Sequence, residues 1–334
     1  MSPRGSARRP TLGARLRLQP RHGRLRRGAR RTSPWRLGPR HLERHLACRA
    51  EGRCLVKRTP RQAIRECLEY RELLINLAKR ELSSRYRRSF LGWGWSLLQP
   101  IMMTAVYAIM LGTFFKVKPA PGDPSGMTFF AFFLLAGVLP WNLFSSSLTG
   151  AMGAVANGGS LITKVWFPRE LIPASTILAL AFSTCIEFSV LSTAILLVTG
   201  HVMLQYIPML VVVLALQVLF TSGVAFWLAA CNVKFKDVEY ITSVLLLAYF
   251  YLTPVIYSPS FVPDRTVFGT SITMRDLSLA NPMARFMMAY RNIFWDIRMP
   301  GLNTMLWLVC SSLIVFYVGF RFYVRRSDRF AESM

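Results

Sequence analysis

The chain alternates between long apolar stretches and shorter polar connections. Six stretches of about 20 residues carry few or no charges, which is the length that one helix needs to cross a bilayer core of roughly 30 Å. Soluble proteins rarely repeat such stretches, so the pattern predicts an all-α integral membrane protein with six transmembrane helices. The predicted spans are residues 92–115, 129–148, 171–199, 206–230, 240–257 and 302–323.

Two further segments are amphipathic rather than spanning. Residues 59–90 place four apolar side chains at helical spacing among many charges, which predicts an interface helix that lies on the cytoplasmic side. These side chains are Tyr70, Leu73, Leu74 and Leu77. We expect this stripe to rest in the membrane interface or, alternatively, to pack on protein. The second segment, 281–295, predicts re-entrant or interfacial outer helices between spans five and six.

Positive charge is concentrated at the N-terminal end. The chain has 41 Lys and Arg against 16 Asp and Glu, and most of the excess lies before Phe90. Such a charge could indicate nucleic-acid binding, but a basic segment before a first span is typical of a cytoplasmic N-terminus. We therefore predict a multi-pass protein of the plasma (inner) membrane with both termini cytoplasmic and no nucleic-acid partner. Five arginines between spans five and six, Arg291 among them, do not fit this rule.

The charge and hydropathy pattern divides the chain into four regions. Residues 1–58 are an Arg-rich extension, expected to be disordered, or alternatively not natural if translation starts at Val56 or a neighbour. The interface helix (59–90), the permease domain (91–325) and a cytoplasmic tail (326–334) follow. The extension contains His41, His45, Cys48 and Cys54, whose spacing is only a weak zinc signal, so no metal is expected.

Few residues suggest catalytic chemistry. Glu187 is the one carboxylate well inside a predicted span, where it serves either as a proton relay or as a packing or gating group bonded to Ser183 or Thr184. The chain has no phosphate-binding G-x-x-x-x-G-K-[ST] loop and no hydrolase motif, so we expect no catalytic residues and no cofactor on this chain. Aromatic residues crowd the first, second and fifth spans, as belts at the membrane interface or as rings for stacking on sugars.

An ordered set of short motifs resembles the ABC transporter permeases that export polysaccharides and teichoic acids. The set covers roughly residues 66–330: R-Y-R-R-S-F-L-G-W-G-W at 85–95, Q-P at 99–100, A-G-V-L-P-W at 136–141, F-S-S-S at 144–147, Asn157, K-V-W-F-P-R-E at 164–170, F-K-D-V at 235–238, T-P-V-I-Y at 253–257 and N-P-M at 281–283. Two departures are the Arg-rich extension and Lys236, where Arg is more usual; Lys keeps the charge but loses the planar fork.

The resemblance implies a homodimeric permease bound to two copies of an ABC ATPase, which would hold the ATP and Mg, and a lipid-linked glycan as the substrate. It assigns coupling to the ATPase to Leu161, Lys164, Val165, Trp166, Phe167 and Arg169. The charge pattern of the interface helix itself predicts contact with lipid phosphates through Arg80, Arg85, Arg87 and Arg88. The expected glycan path is lined by Trp93, Tyr107, Phe133, Trp141, Phe144, Tyr249 and Tyr251.

Two other functions compete with export. A polyprenyl-linked glycosyltransferase would need clustered acids for a metal and diphosphate, whereas the outer aspartates are well separated in sequence. A proton-coupled carrier would need more acids inside the membrane than Glu187.

Overall fold

The computed structural model describes residues 59–86, 90, 92, 94–114, 116, 121–157, 167–258, 273–274 and 280–327, and these form helices joined by turns. The Arg-rich extension, with its zinc candidates, lies outside the described residues. The helices are α1 (Pro60–Glu69), α2 (Arg71–Tyr86), α3 (Gly94–Tyr107, continued by a π-helical stretch Ala108–Phe114), α4 (Phe130–Asn157), α5 (Leu171–Thr199), α6 (Ile207–Asn232), α7 (Asp237–Leu252), α8 (Pro282–Phe294) and α9 (Leu302–Ser327).

Five of these helices are long and apolar enough to cross a membrane. They are Gly94–Gly112, Phe130–Asn157, Leu171–Thr199, Leu204–Asn232 and Leu302–Ser327. They coincide with five of the six predicted spans, so the all-helical multi-pass class is confirmed. The remaining predicted span corresponds to α7, which has only 16 residues. It ends early because Thr253 is extended (φ −89°, ψ 136°), as expected of a residue before proline.

The predicted interface helix is two helices. Thr59 starts α1 with a capping box shared with Gln62, and the chain breaks at Tyr70 before α2 begins. The apolar stripe of four residues predicted for this region packs, partly buried, on a small core cluster. The stripe therefore rests on protein, which was the alternative interpretation.

The main core surrounds α4. This helix is the most buried of the five, with 72% of its apolar window inside the protein, and it packs against α3, α5, α6, α7 and α8. The closest helix contact joins α6 and α9, where Gly223 and Gly319 let the two backbones touch. A β-carbon on Gly223 would lie 2.5 Å from the Val315 carbonyl oxygen, and one on Gly319 would overlap the Gly223 backbone. Small residues at such crossings are typical of membrane helices.

A second core cluster joins the ends of α1, α4, α5, α6 and α9. Phe167 and Leu171 meet Phe226 and Tyr323 there, and Ala63 of α1 is fully buried among them. The cluster also includes Val155, which lies two residues before the end of α4.

Candidate functional site

A buried arginine on α8 holds the chain that leaves α7. Arg291 is 5% exposed, and its guanidinium donates hydrogen bonds to the backbone carbonyls of Pro254 (2.8 Å), Val255 (2.6 Å) and Tyr257 (2.9 Å). It also lies over the Phe133 ring, 3.9 Å from the centroid. The two terminal nitrogens of the guanidinium are thus bonded to backbone carbonyls of the chain that follows α7, and these carbonyl oxygens carry partial negative charge.

Asn281 connects the same segment to the start of α8. Its side-chain oxygen caps α8 by accepting from the Met283 N–H (2.9 Å) and also accepts from the Tyr249 hydroxyl. Its amide donates to the Thr253 hydroxyl at 3.0 Å. The motifs T-P-V-I-Y and N-P-M, which are separate in the sequence, therefore form one hydrogen-bonded unit in the fold.

A third polar contact crosses the core between α4, α6 and α8. Gln217 donates to the Pro140 carbonyl (2.7 Å) and accepts from the Tyr290 hydroxyl (2.6 Å), and both Gln217 and Tyr290 are fully buried. Buried polar side chains of this kind fix how helices meet, because a shifted helix would leave them without partners. The α8 helix is thus bonded to the bundle at its start, middle and end.

The loop before α4 covers the far end of α8. The Ser125 hydroxyl donates to the Trp295 carbonyl (2.5 Å), and the Asp123 N–H donates to the Asp296 carboxylate (3.3 Å). Arg298 pairs with Asp296 at 3.1 Å. Partial burial raises the pKa of Asp296, although the Asp123 N–H and Arg298 act in the opposite direction. These contacts close the connection between α8 and α9 onto the bundle.

The aromatic residues predicted for the glycan path fall into distinct environments. Trp141, Phe144 and Tyr249 form one cluster, with Trp141 centred 5.7 Å from Phe144 and 5.6 Å from Tyr249. Phe133 lies under Arg291, and Tyr107 stacks on Phe250 at 5.9 Å. The remaining described member is exposed: Tyr251 is 54% exposed.

Burial separates these aromatic residues by what they can contact in this conformation. Phe133, Trp141 and Phe144 are each at most 6% exposed, so they pack within the chain. Tyr107 and Tyr249 are half-buried. Trp93 lies outside the described residues. The structure thus brings three of the predicted path residues together and leaves one open to its surroundings.

Two of the four predicted phosphate-contacting arginines are described, Arg80 and Arg85, both on α2; Arg87 and Arg88 lie outside the described residues. Arg85 pairs with Glu81 at 3.3 Å. Both arginines line a cavity of about 530 Å³ between α2, α4 and α5. The cations therefore face a groove in the protein rather than only the surrounding lipid.

Of the predicted coupling residues, Phe167 and Arg169 are described, and Leu161, Lys164, Val165 and Trp166 lie outside the described residues. Phe167 is 8% exposed in the second core cluster. Arg169 donates to the Ser327 backbone carbonyl, and the Tyr323 hydroxyl donates to the Arg169 carbonyl at 3.2 Å. Arg169 therefore connects the start of α5 to the end of α9.

The sequence interpretation treated Arg291 only as a charge that broke the orientation rule. A signal was present, since it is a cation within the apolar pattern of an amphipathic segment, and such a cation needs acceptors nearby. Among the described residues, no group of three His, Cys, Asp or Glu side chains could hold a metal ion.

The fold defines an all-helical, multi-pass membrane protein whose described residues are built around packed helices and buried polar contacts. Comparison with known families gives a match to the ABC-2 type transporter model over residues 72–295. The chain belongs to the ABC-2 type transporter family, and it is a membrane subunit of a transporter rather than an enzyme.

Three curated relatives match most of the chain. A protein from Myxococcus xanthus named "O-antigen export system permease protein RfbA" is 35% identical over 276 residues, which is 81% of this chain and 98% of that protein. Two proteins from Klebsiella pneumoniae with the same name are 26% and 25% identical over 263 residues, covering 79% of this chain and 95% of each relative.

Proposed function

We propose that the chain is the membrane-spanning subunit of an ATP-driven ABC exporter that moves a polysaccharide out of the cytoplasm. The observation that supports this most strongly is the 35% identity to a named O-antigen export permease over nearly its whole length. Because the sequence has no phosphate-binding loop, ATP and Mg would be held by a partner ATPase, in two copies. The substrate in this proposal is a lipid-linked polysaccharide or a teichoic-acid-like polymer.

The proposed topology has six spans, with both termini cytoplasmic in the plasma (inner) membrane. In this arrangement α7 is the fifth span: its 16 residues extend about 24 Å at 1.5 Å per residue. The extended chain after Thr253 adds the rest of a bilayer core of about 30 Å. The α8 helix would then dip into the outer leaflet as a re-entrant element, and its packing inside the bundle makes such a position tolerable.

A homodimer is the proposed assembly. The apolar window of α3 is only 11% buried. Along α7, five large apolar side chains are each more than 60% exposed: Tyr240, Val244, Leu245, Leu247 and Leu252. A second copy packed on α3 and α7 would cover these faces and place a translocation path between the two chains, with Tyr251 near it.

Coupling to the ATPase would run through the segment 158–166. Val155 near the end of α4 and Phe167 before the start of α5 belong to a cluster that also includes residues of α1 and α9, and Arg169 donates to the Ser327 carbonyl at the end of α9. A force applied to the segment would therefore move several helices at once. Leu161, Lys164, Val165 and Trp166 are the residues proposed to contact the ATPase.

The glycan path itself would use the exposed and half-buried aromatic residues first. Tyr251 is open, and Tyr107 and Tyr249 are partly accessible, whereas Phe133, Trp141 and Phe144 would need a rearrangement to reach a glycan. The hydrogen-bonded unit of Arg291 and Asn281 lies beside these rings. We propose that it sets the width of the outer end of the path.

The test is deletion of the gene in its native cell, followed by measurement of polysaccharide at the surface and inside. Loss of surface polysaccharide with accumulation inside, restored by the wild-type gene, supports the proposal. Continued export in the deletion strain would contradict it. Sugar transfer by the purified chain alone would support the glycosyltransferase alternative.

A further inference from the structure

A polar groove runs between α4 and α5 from one end of the helices towards their middle. Its wider part is the 530 Å³ cavity that Arg80 and Arg85 line. A second cavity of about 120 Å³ lies next to it, and Arg85 lines both. The smaller cavity reaches Glu187, which lies 16 residues into the 29-residue helix α5, or about 24 Å from its start. The groove therefore reaches the middle of a spanning helix.

One face of α5 is polar along this groove. Its lining residues recur at intervals of three and four: Ile172, Ser175, Thr176, Leu180, Ser183, Thr184 and Glu187. The opposing face of α4 carries small or polar residues in the same region, including Asn142 and Ser146. Small and polar faces often allow membrane helices to pack tightly, but here they enclose open volume instead. Polar surface at this depth needs a polar occupant.

Glu187 provides the second observation. It is 8% exposed and lines the smaller cavity, and within the part of the chain that the structure describes its carboxylate accepts no hydrogen bond. The partners Ser183 and Thr184, which the sequence suggested, do not bond to it; the Ser183 hydroxyl donates to the Ala179 carbonyl instead. A buried carboxylate without a protein partner is costly unless something else donates to it.

Hydrogen-bond donors and acceptors are arranged in order along the groove, with cations in the wider cavity and amides and a carboxyl group around the smaller one. Arg80 and Arg85 lie in the wider part, with Glu81 offsetting part of their charge. Asn142 and Gln99 offer amides around the smaller cavity, and Glu187 offers a carboxylate at its end. Cations suit phosphate oxygens, whereas carboxylates and amides suit hydroxyl groups. A volume of about 530 Å³ is also within the range of roughly 300–1,000 Å³ for small-molecule sites.

We propose that this groove binds the polar head of a phosphate-linked glycolipid, with the phosphate at Arg80 and Arg85 and hydroxyls of the first sugar at Glu187. The inference rests on the proposed function, since it assigns the docking position of the exported substrate. The lipid tail would leave the groove towards the bilayer. The site lies within one chain and does not require the homodimer.

The experiment uses the full chain in nanodiscs of neutral phosphatidylcholine and two fluorescent probes. One probe is a short-chain prenyl diphosphate that carries a hexose, and the other is the same prenyl diphosphate without the sugar. Wild-type protein should bind the sugar-bearing probe more tightly. Glu187→Gln should weaken that probe about tenfold and leave the sugar-free probe unchanged, because an amide nitrogen replaces one of the two carboxyl oxygens that can bond to sugar hydroxyls.

Filling the groove gives an independent variant. A β-carbon on Gly153 would meet only the Asn157 amide nitrogen at 4.0 Å, so Gly153→Leu can be built and should weaken both probes at least tenfold. Gly301→Leu is the matched control, because Gly301 has no atom within 4 Å of its added β-carbon and lies outside the groove. It should bind both probes as the wild type does.

Unchanged binding in Glu187→Gln and Gly153→Leu would overturn the proposal, as would displacement of the probe by excess phosphatidylglycerol or absence of binding to the wild type. Surface polysaccharide measured in the same strains separates the two proposals. If the wild type exports polysaccharide normally and both variants bind the probes as the wild type does, the proposed docking groove is refuted and the proposed export function is not. If the wild-type gene does not support export, the proposed export function is refuted.

Discussion

Arg291 provides the sharpest test of how the outer part of the bundle is held. Arg291→Met keeps much of the side-chain length but removes three hydrogen bonds and the contact with Phe133. A buried carbonyl left without a donor costs about 1–3 kcal/mol. The Tyr257 carbonyl is only partly buried and can turn to water, so the full sum is not expected. We expect Arg291→Met to lower the free energy of unfolding by about 2–6 kcal/mol, because the two buried carbonyls of Pro254 and Val255 lose their donor.

Arg291→Lys tests the role of the planar fork. A lysine keeps the charge, but a single ammonium cannot reach three carbonyls in the same geometry or stack on Phe133. We expect an intermediate loss of about 1–3 kcal/mol. Denaturant titration of the purified protein in mixed micelles, followed by circular dichroism, measures both variants.

The matched control for these variants is Arg298→Met. Arg298 is half-exposed and pairs with Asp296 at 3.1 Å, and such surface pairs contribute about 0–1 kcal/mol. If Arg291→Met unfolds at the same denaturant concentration as the wild type, the carbonyls after α7 are not held by this arginine and the reasoning fails. A loss in Arg298→Met as large as that in Arg291→Met would also refute it.

Three further predictions concern other parts of the chain. Gly319→Leu should abolish folding or strongly reduce the amount of protein in the membrane, since its side chain would overlap the Gly223 backbone; a normal yield on immunoblots of membrane fractions would contradict this. Gln217→Leu should destabilise by about 1–3 kcal/mol because the Tyr290 hydroxyl and a carbonyl lose their partner, and an unchanged midpoint in the same denaturant titration would argue against that contact. Trp166→Ala should leave membrane insertion and ATP hydrolysis intact while export falls, measured as surface polysaccharide per ATP hydrolysed; loss of insertion would instead indicate a structural role.

The spanning helices could be predicted from the sequence because each apolar stretch is long enough to specify its own fold. The α5 helix begins and ends where the pattern predicts, and its end at Gly200 (φ 74°) is a left-handed cap that favours glycine. The end of α7 could not be placed from hydropathy, since the apolar pattern continues through Tyr257 although Thr253 precedes a proline. The break between α1 and α2 at Tyr70 could not be predicted either, because the apolar spacing continues across it.

The candidate sites depended on contacts that no local pattern contains. Asn281 and Thr253 are recognisable as parts of separate motifs, but their hydrogen bond joins residues 28 positions apart. The family resemblance assigned Arg169 to coupling with an ATPase, and in the fold its guanidinium donates to the Ser327 carbonyl at the end of α9. Its proposed role in coupling is therefore to connect the start of α5 to α9. The depth of the groove at Glu187 likewise depends on how α4 and α5 meet.

We propose that this chain forms the path of an ATP-driven polysaccharide exporter. The most direct measurement reconstitutes the purified chain with its partner ATPase in inside-out vesicles and follows radiolabelled polysaccharide into the lumen, with and without ATP. We expect uptake to require the chain, the ATPase and hydrolysable ATP together. Uptake that proceeds without ATP or without the ATPase, or transfer of sugar by the chain alone, would contradict it.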